Sequence, residues 1–151
     1  MIASLIDHGA DNTAIHEKIY DTNTYSRLQL QGVALKNLKV LPEYRTAYIT
    51  ITQEELDKHN FRKGDTEGFV NLGLSLHNIV FALIFIENKS EGIIKISLRS
   101  KGDFSVNEFS RAHFEGGGHH NAAGGKSNLS IEETVAKLIS ILPDYKNALN
   151  S

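Results

Sequence analysis

The residues best suited to chemistry lie in one stretch, Glu115-Gly116-Gly117-Gly118-His119-His120-Asn121-Ala122-Ala123-Gly124-Gly125. The run of glycines leaves the backbone free to take positive φ and to approach a ligand closely. Imidazole can hydrogen-bond a phosphate or stack on a base. The small residues at 122–125 would let a short helix pack tightly. A glycine-rich turn entering a helix presents unpaired N–H groups, the physical basis of phosphate binding. Adjacent side chains diverge on a regular backbone, so only one of His119 and His120 can face a cleft.

A second candidate lies upstream. Residues 93–99 alternate as a strand does, placing Ile94, Ile96 and Leu98 on one face and Lys95, Ser97 and Arg99 on the other. The first set belongs in a core. The second is a polar face ending in a guanidinium, which grips phosphate through a bidentate fork. Spacing alone favours a plainer reading, a solvated edge with Arg99 in a surface ion pair.

Rival motifs fit the sequence less well. His113, Glu115, His119 and His120 are fit metal ligands by type, but their spacing matches no ligand motif and the glycines would make a loose cage. The segment from His120 to Lys126-Ser127 ends like a phosphate-binding P-loop, with a histidine where its first glycine belongs and no expected strand leading in. GxGxxG fails because Asn121 holds its last position. Asp7-His8-Gly9 reads as a loop.

Around these candidates the chain divides into helices and strands. Residues 10–20 read as a short helix capped by Asp11 or Asn12. A second runs over about 25–39, with Leu28, Leu35 and Leu38 near one face and Pro42 as its stop. Residues 44–52 alternate as a strand. Thr52 with Glu55, Ser105 with Glu108 and Ser130 with Glu133 form capping boxes opening helices. Phe69, Leu72, Gly73 and Leu76 have helical spacing. The apolar run at 79–86 suits a strand buried on both faces. Its short connection to the strand at 92–100 implies an antiparallel hairpin. The terminal helix carries Val135, Leu138, Ile139 and Leu142. The sum is an α/β fold, a small mixed β-sheet flanked by helices.

At 151 residues the chain holds one ordinary core. A net charge of -2 argues against broad duplex binding. Between Lys95 and Lys126, however, five cations face three carboxylates, so the glycine stretch sits in the basic part. There is no cysteine for a disulfide or thiolate site. The first ten residues lack a basic signal-peptide start, and no apolar run reaches membrane-spanning length. A cytoplasmic protein with no membrane partner is expected.

Gly116-Gly117-Gly118-His119 with Asn121-Ala122-Ala123-Gly124 resembles the GGGH-x-x-AAG signature of the DHHA1 domain, the C-terminal substrate-binding half of DHH-family phosphoesterases. Glu67-Gly68-Phe69-Val70-Asn71 and Ile96-Ser97-Leu98-Arg99-Ser100-Lys101 fit the same family in the same order, and the bacterial nano-RNase/pAp-phosphatase enzymes look most similar. The resemblance implies a DHHA1-like domain over 41–151, with residues 1–40 as linker helices and the tail of a missing N-terminal DHH domain. It implies substrate contacts from Arg99, Gly116, Gly117, Gly118, His119, Asn121 and Ala122, with Asn71 holding the glycine loop and His120 a bystander. It implies no catalytic or metal-binding residue and no cofactor in this chain, with manganese in the DHH domain. The implied ligand is a nucleotide or short RNA oligonucleotide, and the implied activity of the whole is phosphoesterase (hydrolase, oligoribonuclease). The alternative is a non-catalytic RNA-binding module, like the DHHA1 domain of alanyl-tRNA synthetases.

Overall fold

The computed structural model describes residues 23–151. The helix expected at 10–20 and the Asp7-His8-Gly9 loop lie outside the described residues. The apolar run forms the centre: Phe81–Asn88 is β3, and each side chain from Phe81 to Phe85 is buried. Ile93–Ser100 (β4) pairs antiparallel with it, completing the expected hairpin. Thr46–Ile51 (β2) runs parallel on its other side. Lys39–Leu41 (β1), Gly117–His119 (β5) and Ala122–Ser127 (β6) extend the edges. The result is a six-stranded mixed sheet in the order β1-β2-β3-β4-β6-β5.

Helices cover both faces, as the α/β expectation required. Tyr25–Asn37 (α1), Gln53–Lys58 (α2) and Val70–Leu74 (α3) lie on one face. Their core joins Leu30, Ala34, Leu56 and Val70 to Ile49, Ile51, Ala82 and Ile84 of the sheet. Val106–His113 (α4), Ile131–Ile141 (α5) and Lys146–Leu149 (α6) lie on the other. There Phe109, Phe114 and Leu138 meet Phe81, Phe85, Ile94, Ile96 and Leu98. The alternation read along β4 therefore holds, with Ile94, Ile96 and Leu98 buried and Lys95 exposed.

The capping boxes at Thr52 and Ser130 are reciprocal, while Ser105 accepts from the Glu108 amide alone. Several boundaries differ from expectation. α1 stops at Asn37 because β1 begins at Lys39; Pro42 instead opens a 3-10 turn, Pro42–Tyr44. Leu30 and Ala34 form the buried face of α1, and Leu28 and Leu35 point outward. On α5 the buried residues are Ile131, Thr134 and Leu138, with Ile139 exposed; the Thr134 hydroxyl is satisfied 2.7 Å from Ser127 Oγ and by the Ser130 carbonyl. The largest correction concerns the glycine stretch. It enters no helix, and residues 122–127 continue as strand β6.

Candidate functional site

The glycine stretch is a β-hairpin, β5 and β6 joined through His120 and Asn121. Its glycines answer first to packing. α4 sets its last turn directly on the hairpin backbone. A methyl group at Gly116 would run into the Gly124 carbonyl, and one at Gly125 would lie 2.7 Å from Ser110 Oγ and 2.9 Å from the Phe114 carbonyl. Ser110 Oγ donates to the Gly124 carbonyl at 2.6 Å. The Gly118 amide donates to Asn107 Oδ1 at 2.9 Å, and the Gly116 amide to the Ser110 carbonyl at 3.3 Å. These two amides are therefore engaged within the fold, which corrects the expectation of a free amide cradle there. Asn107 was not singled out in the sequence. It also accepts from Arg111 Nε at 3.1 Å, and it ties β5 to α4. Nothing in its sequence context marks it, because the contact exists only once the hairpin folds back on the helix.

The opposite face of this half of the sheet carries the open surface. In register, Arg99 on β4 stands opposite Ala122 on β6, and Ala122 opposite His119 on β5. The next row is Ser97 and Gly124, and the next is Lys95 and Lys126, whereas Gly117, paired with Gly124, turns its Cβ position toward Asn107 and Arg111 of α4. Directly opposed residues share a face. Strand spacing puts the Arg99 and His119 backbones about 10 Å apart. Lys95, Gly124, Lys126 and His119 are exposed, and Ser97, Arg99 and Ala122 are half-buried. Among the described residues the helices of this side pack mainly on β2 and β3, with α3 also reaching β4 and none packing on β6 or β5. At Gly124 an added methyl would meet only the Ile96 carbonyl, at 3.6 Å. The floor is thus shallow and flat, rimmed by cations.

Arg99 Nη1 donates to the Leu98 carbonyl at 2.9 Å and to the Ala123 carbonyl at 3.5 Å, which ties the guanidinium to β4 and β6. Among the described residues it has no ion pair; the pair on this face joins Lys95 to Glu91 at 3.8 Å. The surface ion pair that spacing alone favoured for Arg99 is not formed. Lys126, absent from the sequence-derived contact set, faces the same floor opposite Lys95; the alternation of β6 would have revealed it had the segment been read as a strand.

The remaining nominated residues act locally. Asn121 Nδ2 donates to Ser100 Oγ at 2.8 Å and to the Gly102 carbonyl at 3.2 Å, pinning the turn to the end of β4. His120 Nε2 lies 3.1 Å from the same carbonyl. Phe69 of the second family segment is buried beneath Arg27, whose guanidinium lies 5.3 Å from the ring centre and donates to the Glu67 carbonyl at 3.0 Å. Asn71 is exposed on α3 and makes no hydrogen bond to the glycine hairpin, so it does not hold that loop.

His113 belongs elsewhere. Its Nε2 is 2.7 Å from Tyr145 Oη, and burial, aided by Lys137, holds its pKa below the usual imidazole value. Burial, with Asp144 and Glu108 nearby, raises that of Tyr145. Among the described residues no three His, Asp or Glu side chains gather as metal ligands. What the open face offers chemically is anion recognition: a guanidinium, two ammonium groups and an imidazole around a floor of small residues.

The profile of the DHHA1 domain matches residues 44–146. No match is found among curated proteins. Among solved structures, an exopolyphosphatase-related protein from Bacteroides fragilis shares 42% identity over 99% of this chain, with a TM-score of 0.88. A pGpG-specific phosphodiesterase from Vibrio cholerae superposes over 97% of the chain with a TM-score of 0.60 at 16% identity, a likeness of fold. The chain spans 44% and 49% of the lengths of these two proteins. With the sheet order, the hairpin and the matched profile in agreement, the chain belongs to the DHHA1 domain family.

Proposed function

We propose that this chain is the substrate-binding part of a DHH-family phosphoesterase that hydrolyses short RNA or a nucleotide such as pAp. The observation that carries the reading is the register row Arg99, Ala122 and His119 across β4, β6 and β5, on the side of the sheet where no described helix packs on β6 or β5. Arg99 supplies a charge-assisted fork for phosphate, and its lack of a carboxylate partner among the described residues leaves that capacity unspent. His119, exposed at the far end of the row, stacks on a base or donates to a phosphate oxygen. Ala122 and Gly124 keep the floor low so that the ligand backbone lies close to β6. Hydrolysis is the work of a DHH domain bearing manganese, and no chemical step is assigned to the residues described. The Bacteroides relative is exopolyphosphatase-related, and polyphosphate is another linear polyanion; the imidazole beside the floor favours a ligand that also carries a base.

Calorimetric titration of pAp, a diribonucleotide and a short polyphosphate into the chain tests this. Arg99→Ala should weaken nucleotide binding by about tenfold or more, the value of a hydrogen bond to a charged group. His119→Ala should weaken pAp and the diribonucleotide; unchanged polyphosphate affinity would assign the imidazole to base stacking, and an equal loss for polyphosphate would assign it to phosphate. Unchanged nucleotide affinity in both variants rejects the reading, and turnover of either nucleotide by this chain alone would contradict the division of labour.

A further inference from the structure

The open face does not end at Lys95. Beside it, between α2, the loop at 59–68 and the β3–β4 turn, lies a cleft of about 720 Å³. That is within the size range of small-ligand sites. Leu56, Phe61 and Ile86 form its apolar wall, and Lys63, Lys89 and Lys95 stand around it. In the sheet register Ile86 is opposite Lys95, and Lys95 is opposite Lys126. The cleft and the Arg99 row therefore share one uninterrupted strand face. Phe61 is 38% exposed, a large apolar ring held open to solvent.

The carboxylates of the cleft, Asp57 and Glu87, are both turned to Gln53: Asp57 Oδ1 accepts from Gln53 Nε2 at 3.0 Å, and Glu87 Oε1 accepts from the Gln53 amide at 2.9 Å. Among the described residues Lys63 and Lys89 have no ion pair, and Lys95 has only its long, exposed contact to Glu91. The cleft thus joins a partly exposed aromatic ring to three lysines, against two carboxylates that are hydrogen-bonded to Gln53. Those are the two elements with which proteins hold single-stranded nucleic acid, stacking for the base and positive charge for the backbone.

We infer that this cleft is a second nucleotide subsite, and that the ligand of the open face is an oligonucleotide laid along β4 rather than a mononucleotide. The proposal rests on the function proposed above. From Arg99 to Lys95 the strand advances about 13 Å, too far for a single phosphate to bridge and suited to phosphates two linkages apart. One phosphate sits at Arg99, a later one crosses between Lys95 and Lys126, and the distal base lies on Phe61 with its phosphate met by Lys63 and Lys89.

The test compares a 5′-phosphorylated oligoadenylate dinucleotide with a pentanucleotide, measured by calorimetry on the full chain. The variants are Phe61→Ala, the double variant Lys63→Ala/Lys89→Ala, and Arg99→Ala, each checked by its thermal unfolding midpoint. The pentanucleotide should bind more tightly than the dinucleotide. The two cleft variants should weaken the pentanucleotide by at least about fivefold while leaving the dinucleotide unchanged. The double variant removes only exposed side chains, so it tests the subsite even if Phe61→Ala perturbs the loop. Equal affinity for both lengths, or cleft variants that affect neither, overturns the second subsite; if Arg99→Ala still weakens both ligands, the function proposed for the open face stands. If Arg99→Ala also changes nothing, that function falls and the subsite with it.

Discussion

Two glycines of one hairpin show how differently the same residue type can be required. At Gly116 a side chain has no room, since the Gly124 carbonyl and Ser110 Oγ already fill the space. At Gly124 there is room, with only the Ile96 carbonyl at 3.6 Å. The fold therefore explains Gly116 and leaves Gly124 to be explained by what lies above the sheet. The two substitutions should separate accordingly. Gly116→Ala should cost about 2 kcal/mol or more, as overpacking does. Gly124→Ala should stabilise by roughly 0.5 kcal/mol through the unfolded chain, yet weaken nucleotide binding by raising the floor beneath the ligand. Urea denaturation gives the first quantity and calorimetry the second. A Gly124→Ala protein that binds as well as wild type would remove close backbone approach from the account of the site.

At the level of elements, period-two patterns proved readable and glycine-rich ones did not. The strand from Phe81 to Asn88 and the alternation of β4 were legible because burial on two faces or one leaves a direct mark on residue type. The placement of Arg99 on a polar face followed from that alternation alone. β6 was misread because Ala-Ala-Gly-Gly has little intrinsic strand preference; the open edge of β4 and the weight of α4 make it a strand, and neither shows in local sequence. The buried side of α1 was misread because its leucines are split between core and solvent. The same dependence on context governs how α4 docks against the C-terminal turn. Its His113 bonds Tyr145, and Lys137 Nζ donates to the His113 carbonyl at 2.6 Å. Burial first, then Lys137, lowers the His113 pKa from 6.5, with Asp144 opposing. The unfolded chain therefore binds the extra proton first as pH falls. Stability should be full above about 6.5, decline through the window down to the folded-state value, and level off below it. Thermal midpoints between about pH 8 and pH 5.5 should show this decline, and His113→Gln should flatten it; an equal decline in the variant would place its origin in other groups.

For the molecule as a whole, the distribution of charge matters more than its sum. The chain carries a net charge of -2, yet Lys95, Arg99 and Lys126 all stand on one face of the sheet, where no described helix packs on β6. A negative body bearing a narrow cationic strip recognises a short anion and repels a long one, because every phosphate beyond the strip meets a neutral or acidic surface. The salt dependence of binding measures the length of that strip. For single strands each neutralised phosphate contributes about 0.7 to the slope of log K against log salt, so the two phosphates of a 5′-phosphorylated dinucleotide give a slope of about −1.4. A dinucleotide titrated across a potassium chloride series should show that slope or a shallower one, and Lys126→Ala should reduce it by roughly 0.7. The pentanucleotide, if it reaches Lys63 and Lys89, should steepen it toward about −3.5 and no further, even when the oligonucleotide is lengthened again. A slope that keeps growing with RNA length would mean that the protein tracks a long chain, as a general RNA-binding module does, and that the open face is not a site bounded by its own charge.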